Sequence, residues 1–319
     1  MFIQNALKVK NNIWRYALGI FIIFIFTQIG SIPFVVAIFN KVGIEGAANL
    51  DPAKMMTILE NSNLTFFYTL LTFFVGFIGF LIVIKYLHNQ SFVSVTTSRK
   101  SIDYKRVLTS FSVISLILFF YTISSFYALP DEYIIQFNLN DFLILLLIAV
   151  IFIPIQTSLE EYVFRGYLMQ GFGVLAKNKW VPLFLTSFLF GMLHYYNPEI
   201  MKLGSILLVH YIATGLFLGI ITLMDEGMEL ALGFHAGNNL IIALMVTSDW
   251  TVFQTSSIFK YIGEPNAIYM SLFSTVIIYP LLLFYFSKKY NASCKFIPSK
   301  FGILPRFCLL YTSPSPRDK

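Results

Sequence analysis

Phe142-Leu-Ile-Leu-Leu-Leu-Ile-Ala-Val-Ile-Phe-Ile-Pro-Ile-Gln-Thr-Ser-Leu-Glu-Glu-Tyr-Val-Phe-Arg165 is the stretch that decides how this chain folds. From Phe142 to Leu159 it carries no charge, then Glu160 and Glu161 follow side by side, with Arg165 shortly after. A run of roughly 20 apolar residues matches the thickness of a bilayer and reads as a spanning helix. An ionised side chain at bilayer depth costs roughly 2.5–3.5 kcal/mol on the lenient insertion scale. Two adjacent carboxylates there each require a partner or a task.

The rest of the chain has the same character. It is 57% hydrophobic and 12% charged, against about 45–50% and 25% for soluble proteins. Apolar runs near 16–39, 64–87, 107–128, 142–165, 181–196, 204–224, 229–248 and 267–287 predict an all-α, polytopic membrane protein with about eight transmembrane helices. No repeat and no inserted soluble domain stands out, so residues 1–307 read as one integral membrane domain, with a motif-bearing core at about 142–248. The first apolar run is longer than a signal h-region and lacks a small-residue cleavage site, so it is taken as the first span. The last residues, Cys308-Leu-Leu-Tyr-Thr-Ser-Pro-Ser-Pro-Arg-Asp318, resemble a translated sequencing-library adapter; a disordered Ser/Pro tail is the alternative. Cys294 and Cys308 suggest neither a disulfide framework nor a thiolate metal site.

Basic residues collect in alternate connections: Lys8, Lys10 and Arg15; Lys85, Arg99, Lys100, Lys105 and Arg106; Lys177 and Lys179; Lys288, Lys289, Lys295, Lys300 and Arg306. By the positive-inside rule both termini are expected on the cytoplasmic side. The net charge of +6 is then a topology signal, and no nucleic-acid partner is implied. The acidic connection Asp225-Glu226-Gly-Met-Glu229 falls on the same expected side.

Polar residues inside the spans concentrate between 160 and 239. Glu161 and Arg165 lie one turn apart with the acid first, the favoured order for a helical ion pair. Glu160 points about 100° away and is expected to lack a local partner, which makes it the candidate reagent. His194 shares a helix face with Phe190. His235 and Asn239 are likewise one turn apart, and the small residues Ala236 and Gly237 allow close helix approach. His88, beside Lys85, reads as an interfacial residue, and His210 as a packed polar one.

Three patterns thus occur in order: Glu160-Glu161-Tyr-Val-Phe-Arg165, Phe190-Gly-Met-Leu-His194 and His235-Ala-Gly-Asn-Asn239. In this the chain resembles the CPBP family of intramembrane proteases, also called the Abi or type II CAAX prenyl endopeptidase-like family. The resemblance covers roughly 142–245. It implies a water-activated endopeptidase, with Glu160 as general base and His194 holding the water. His235 and Asn239 would stabilise the oxyanion, and Glu161 with Arg165 would lock the helix. The implied partners are a peptide or protein substrate, hydrophobic or lipid-attached, and the bilayer; the implied location is a bacterial inner membrane. Two accounts of the chemistry stay open, one metal-free and one with Zn2+ on Glu160, His194 and His235. No His-Glu-x-x-His helix is present, which tilts the reading toward the first.

Each pattern also has a plainer reading: an interhelical ion pair, an interfacial histidine, and hydrogen-bonding glue between helices. Two other functions compete. One is a non-catalytic protein of the same fold, acting in bacteriocin immunity or as a scaffold. The other is a proton-coupled transporter, which the absence of repeats disfavours. One geometric difficulty accompanies the protease reading. A span entered at Trp180 puts His194 about 20 Å further in, while Glu160 is expected nearer the entry side unless residues 166–179 dip into the membrane.

Overall fold

The computed structural model describes residues 2–50, 55–266 and 273–291. The last residues of the sequence, including Cys294, Cys308 and the adapter-like tail, lie outside the described residues, as does the start of the expected eighth span. A 3-10 helix over Phe2–Lys8 leads into α1 (Ile13–Ala48), which breaks at Gly43, where φ is +74°. There follow α2 (Ser62–Ile82), extended by a π-helical turn over Val83–Leu87, then α3 (Phe92–Thr96) and α4 (Tyr104–Ala128). Next come β1 (Tyr133–Ile135), α5 (Leu139–Glu161), a π-helical segment over Tyr162–Leu168, and α6 (Met169–Ala176). The chain continues with α7 (Trp180–Leu193), α8 (Pro198–Leu203), α9 (Leu207–Asp225) and α10 (Glu229–Met245). It ends with β2 (Val246–Thr247), β3 (Phe259–Tyr261), a π-helical turn over Phe273–Ile278, and α11 (Tyr279–Tyr290).

The protein is thus an all-α, polytopic membrane protein. Among the described residues five helices are long and apolar enough to cross a bilayer: Ile13–Ala48, Ser62–Leu87, Tyr104–Ala128, Leu139–Ala176 and Leu207–Asp225. Trp180–Leu193 is apolar but shorter. The expected count of eight is therefore not reached on length and composition. A small sheet, unforeseen in the sequence, ties two connections together: β3 pairs antiparallel with β1 and parallel with β2.

Side-chain caps set several helix starts. Asn61 accepts from Leu64 N at 2.9 Å at the head of α2, Asp103 accepts from Lys105 N at the head of α4, and Asn138 accepts from Asn140 N and Asp141 N at the head of α5. Each satisfies backbone donors that the first helical turn leaves unpaired. Pro154 does not end α5, since helix-breaking residues are tolerated where neighbouring groups satisfy the backbone.

The segment 166–179, read as a connection, is largely helix. It closes in a tight turn where Lys177 takes a left-handed conformation and Asn178 Oδ1 accepts from Trp180 N and Val181 N. This resolves the depth difficulty. Glu160 lies about 24 Å back from Ala176 and His194 about 21 Å on from Trp180, at 1.5 Å per residue, so the two sit nearly level on antiparallel neighbours.

Packing is pairwise: α10 against α4 and α5, α7 against α9, α2 against α1 and α5. The glycines of Gly233-Phe-His235-Ala-Gly237 explain the closeness of α10 to α4. Cβ atoms added at either would collide with backbone, that of Gly233 with Val107 O and that of Gly237 at 2.7 Å from Phe111 O. Gly237 thus serves the close approach that the sequence suggested, with Gly233 as its partner where Ala236 was expected. With the glycine face turned to α4, His235 and Asn239 project toward α5.

Candidate functional site

The site lies where α5, the end of α7 and α10 meet. Arg165 and Glu161 are fully buried, and Arg165 Nη1 donates to Glu161 Oε1 at 2.8 Å. Arg165 Nη2 donates to the Gly215 carbonyl at 3.3 Å, and the guanidinium lies 4.3 Å from the Phe190 ring centre. The expected pair therefore forms, at the junction where α5 passes into its π-helical segment, a distortion frequent at functional sites. Glu161 Oε1 has a second partner, His235 Nδ1, at 2.7 Å. A carboxylate only accepts, so this Nδ1 carries a hydrogen.

Glu160 is half-buried, and its surroundings correct the expectation that it lacks a local partner. Gln156, one turn earlier, donates through Nε2 to Glu160 Oε1 at 2.8 Å. The other oxygen, Oε2, lies 3.4 Å from His235 Nε2. His235 thus sits between two carboxylates, with one ring nitrogen turned to each. Asn239 donates through Nδ2 to Gln156 Oε1 at 3.2 Å, and Asn238 Nδ2 donates to Asn239 Oδ1 at 3.0 Å.

His194 follows the last turn of α7. Its Nδ1 faces the Phe190 carbonyl at 2.7 Å, which only accepts, so Nδ1 carries a hydrogen and a neutral ring presents Nε2 as acceptor. The imidazole stacks on Tyr211 of α9, with ring centres 4.2 Å apart and planes at 20°. The Tyr211 hydroxyl pairs with the Asn197 side chain, and Glu160, His235 and Arg165 are the titratable neighbours of His194. Phe190 is the common wall of the site. Its ring centre lies 4.8 Å from that of His194 and 6.0 Å from that of His235, and it covers Arg165.

The structure therefore brings Glu160, Glu161, Arg165, His235 and Asn239 together as two hydrogen-bonded groups that meet where His235 Nε2 lies 3.4 Å from Glu160, with His194 beside them. The cluster divides by exposure. Glu160, His194, Asn238 and Asn239 are partly accessible, whereas Glu161, Arg165 and His235 are buried behind them. Gln156 and Tyr211 are members that the sequence reading passed over. Gln156 had a signal, since it is a polar residue in an apolar run, one turn before Glu160. Tyr211 had none, because its partner lies across a helix pair.

Two other histidines play different parts. His88, expected at the membrane interface, is fully buried; its Nδ1 faces Lys10 O at 2.7 Å and its Nε2 the Tyr167 hydroxyl at 2.6 Å. His210 packs between the rings of Tyr211 and Tyr279. As for a metal, no three His, Cys, Asp or Glu side chains are grouped as a ligand set among the described residues. Of the conditional set, Glu160 Oε1, His194 Nδ1 and His235 Nδ1 are engaged with Gln156, Phe190 and Glu161, which leaves the second oxygen of Glu160 and the Nε2 atoms of both histidines outside those bonds.

The fold and this cluster define a class: a polytopic helical membrane protein with a carboxylate, imidazole and amide site between its helices. Residues 139–241 match the family described as "Type II CAAX prenyl endopeptidase Rce1-like". Over 249 residues the chain is 30% identical to "Uncharacterized protein YyaK" of Bacillus subtilis (strain 168), a match spanning 76% of this chain and 81% of that protein. No solved structure matches the chain significantly. The chain belongs to the Rce1-like, type II CAAX prenyl endopeptidase family, a family of proteases.

Proposed function

We propose that this protein is an intramembrane endopeptidase that hydrolyses a peptide bond in a hydrophobic or lipid-attached substrate by means of a glutamate-activated water. Glu160 takes a proton from water as the oxygen attacks the scissile carbonyl. His194 holds that water through Nε2. Asn239 has two amide hydrogens, one engaged with Gln156, which leaves the other to stabilise the oxyanion. His235 was expected to share the oxyanion role. With its two nitrogens facing Glu161 and Glu160, it is assigned instead to holding the base, and Glu160 passes the proton on to the leaving amine as the C–N bond breaks. Glu161 and Arg165 fix the helix that carries Glu160.

The observation that carries this reading is the unequal fate of two adjacent carboxylates. Glu161 is sealed against Arg165, while Glu160 stays partly accessible with one oxygen 3.4 Å from an imidazole nitrogen. A peptide segment at this depth needs such a polar, protein-lined site, because lipid satisfies none of its backbone groups. By the same reading the basic face of the molecule is cytoplasmic and the membrane is a bacterial cell membrane. Comparative membrane proteomics tests the activity while the substrate is still unidentified. Cells with the wild type should contain a peptide end that is missing with both Glu160→Gln and His194→Ala; identical sets of ends would overturn it.

A further inference from the structure

We propose that Gln156 is a positioning residue of the reaction, the last link of a donor chain that decides which oxygen of Glu160 acts as the base. This inference rests on the function proposed above. Gln156 is 3% exposed, on the face of α5 that carries Glu160. Its amide bridges the two groups that the mechanism needs on opposite sides of the substrate carbonyl, the base Glu160 and the oxyanion donor Asn239.

The chain runs one way. Asn238 Nδ2 donates to Asn239 Oδ1 at 3.0 Å, Asn239 Nδ2 to Gln156 Oε1 at 3.2 Å, and Gln156 Nε2 to Glu160 Oε1 at 2.8 Å. A carboxylate has no hydrogen to give, so the NH2 end of Gln156 must face Glu160 and its carbonyl must face Asn239. Turning any one amide over would set oxygen against oxygen or NH2 against NH2. Each link therefore orients the next, and hydrogen bonds in series polarise one another.

The outcome is an asymmetric carboxylate. Oε1 is tied down by Gln156, and Oε2 is left to take the proton, on the side of His235. The same chain fixes which hydrogen of the Asn239 amide is engaged and which is presented to an oxyanion. One buried side chain thus sets the direction of both the base and the oxyanion donor, and misplacement of about 1 Å at such groups is worth about a hundredfold in rate.

The test uses full-length protein purified into nanodiscs and a peptide substrate found by the proteomic comparison. Gln156→Met keeps length and bulk but neither donates nor accepts as an amide does. It should lower kcat by about 10- to 100-fold with KM within about threefold. Added to Asn239→Ala, it should cost far less than it costs alone, because both act through one chain. A kcat within twofold of wild type, or full multiplicative effects in the double variant, would overturn the proposal. If Gln156→Met does not fold, Gln156→Asn serves: it keeps an amide but is one methylene too short to span Glu160 and Asn239 together, and the same loss in kcat is expected. Glu160→Gln run in parallel separates the two ideas. Its retained cleavage would refute the protease mechanism itself, whereas its inactivity beside an unimpaired Gln156→Asn would refute only the role of Gln156.

Discussion

Glu160 and Glu161 are neighbours in sequence with opposite physical situations, and this is where a substitution separates a structural from a chemical role. Glu161→Gln would leave Arg165 buried with its charge uncompensated. Breaking a buried pair in this way costs about 3–5 kcal/mol, so a large drop in melting temperature is expected. Glu160→Gln, at a partly accessible position, should melt close to wild type. Equal melting of Glu161→Gln and wild type would refute the locking role. Glu199 offers a pH-dependent case outside the spanning helices. Burial pushes its carboxyl above the ordinary carboxylate range, although Val252 N donates to Oε1 at 2.8 Å. The folded state then holds this proton more tightly than the unfolded chain does. No penalty exists below the unfolded value; it grows as pH rises through the interval and is complete above the folded value. Glu199→Gln, which keeps the acceptor for Val252, should melt like wild type in acid and above it at pH 8; melting below wild type at pH 8 would contradict this.

The residue scale also marks where the sequence was readable. The Glu161–Arg165 pair follows from helical spacing alone, which holds whatever the tertiary fold. Gln156 obeys the same rule in the other direction, one turn before Glu160, where its amide is a polar group in an apolar run. His88 and Tyr167 could not be matched, since their contact spans 79 positions and depends on how the N-terminal segment packs.

At the scale of elements, α10 is the part whose placement the site depends on most. Gly233 and Gly237 give it a bare stripe that seats on α4, and this turns His235 and Asn239 toward α5. Gly233→Ala puts a methyl group against the Val107 carbonyl, and backbone cannot yield as a flexible side chain does. The variant should lose stability by about 1–3 kcal/mol, the usual cost of overpacking, and lose activity more than the distant Gly46→Ala. Activity and melting both unchanged would show that α10 is not held in this way. The helical hairpin of α6 and α7 teaches a related lesson. The span expected to end near Arg165 continues as helix to Ala176, through Gly166, Gly171 and Gly173. In the fold two of them make room for neighbours: a Cβ at Gly171 would meet Tyr16 and one at Gly173 would meet Ile3.

Over the whole molecule, the basic connections and the acidic turn between α9 and α10 come together on one face. Arg99 bridges Asp225 at 3.0 Å and Glu229 at 3.1 Å, Arg106 also pairs with Asp225, and the Phe2 backbone N–H donates to Glu226. Asn5 Nδ2 donates to the carbonyls of Ser94 and Thr97, and Lys10 N to that of His88. Composition alone gave the membrane class, and the alternation of Lys and Arg gave the grouping of these segments, because both rest on simple transfer energies. It did not give the number of full-length spans, since α7 and α10, at 14 and 17 residues, fall short of the length that crosses a bilayer. In protein lacking Cys294 and Cys308, a cysteine at Lys100 should be labelled by a membrane-impermeant thiol reagent only in inverted vesicles, and one at Asp131 only in intact cells. The reverse pattern would invert the proposed topology.

Hydrolysis by purified protein is the most direct measurement. Wild type in nanodiscs should cleave the identified peptide, and Glu160→Gln should be slower by about 10²–10⁴-fold with an unchanged melting temperature. Cleavage by folded Glu160→Gln at a rate near wild type would contradict the account.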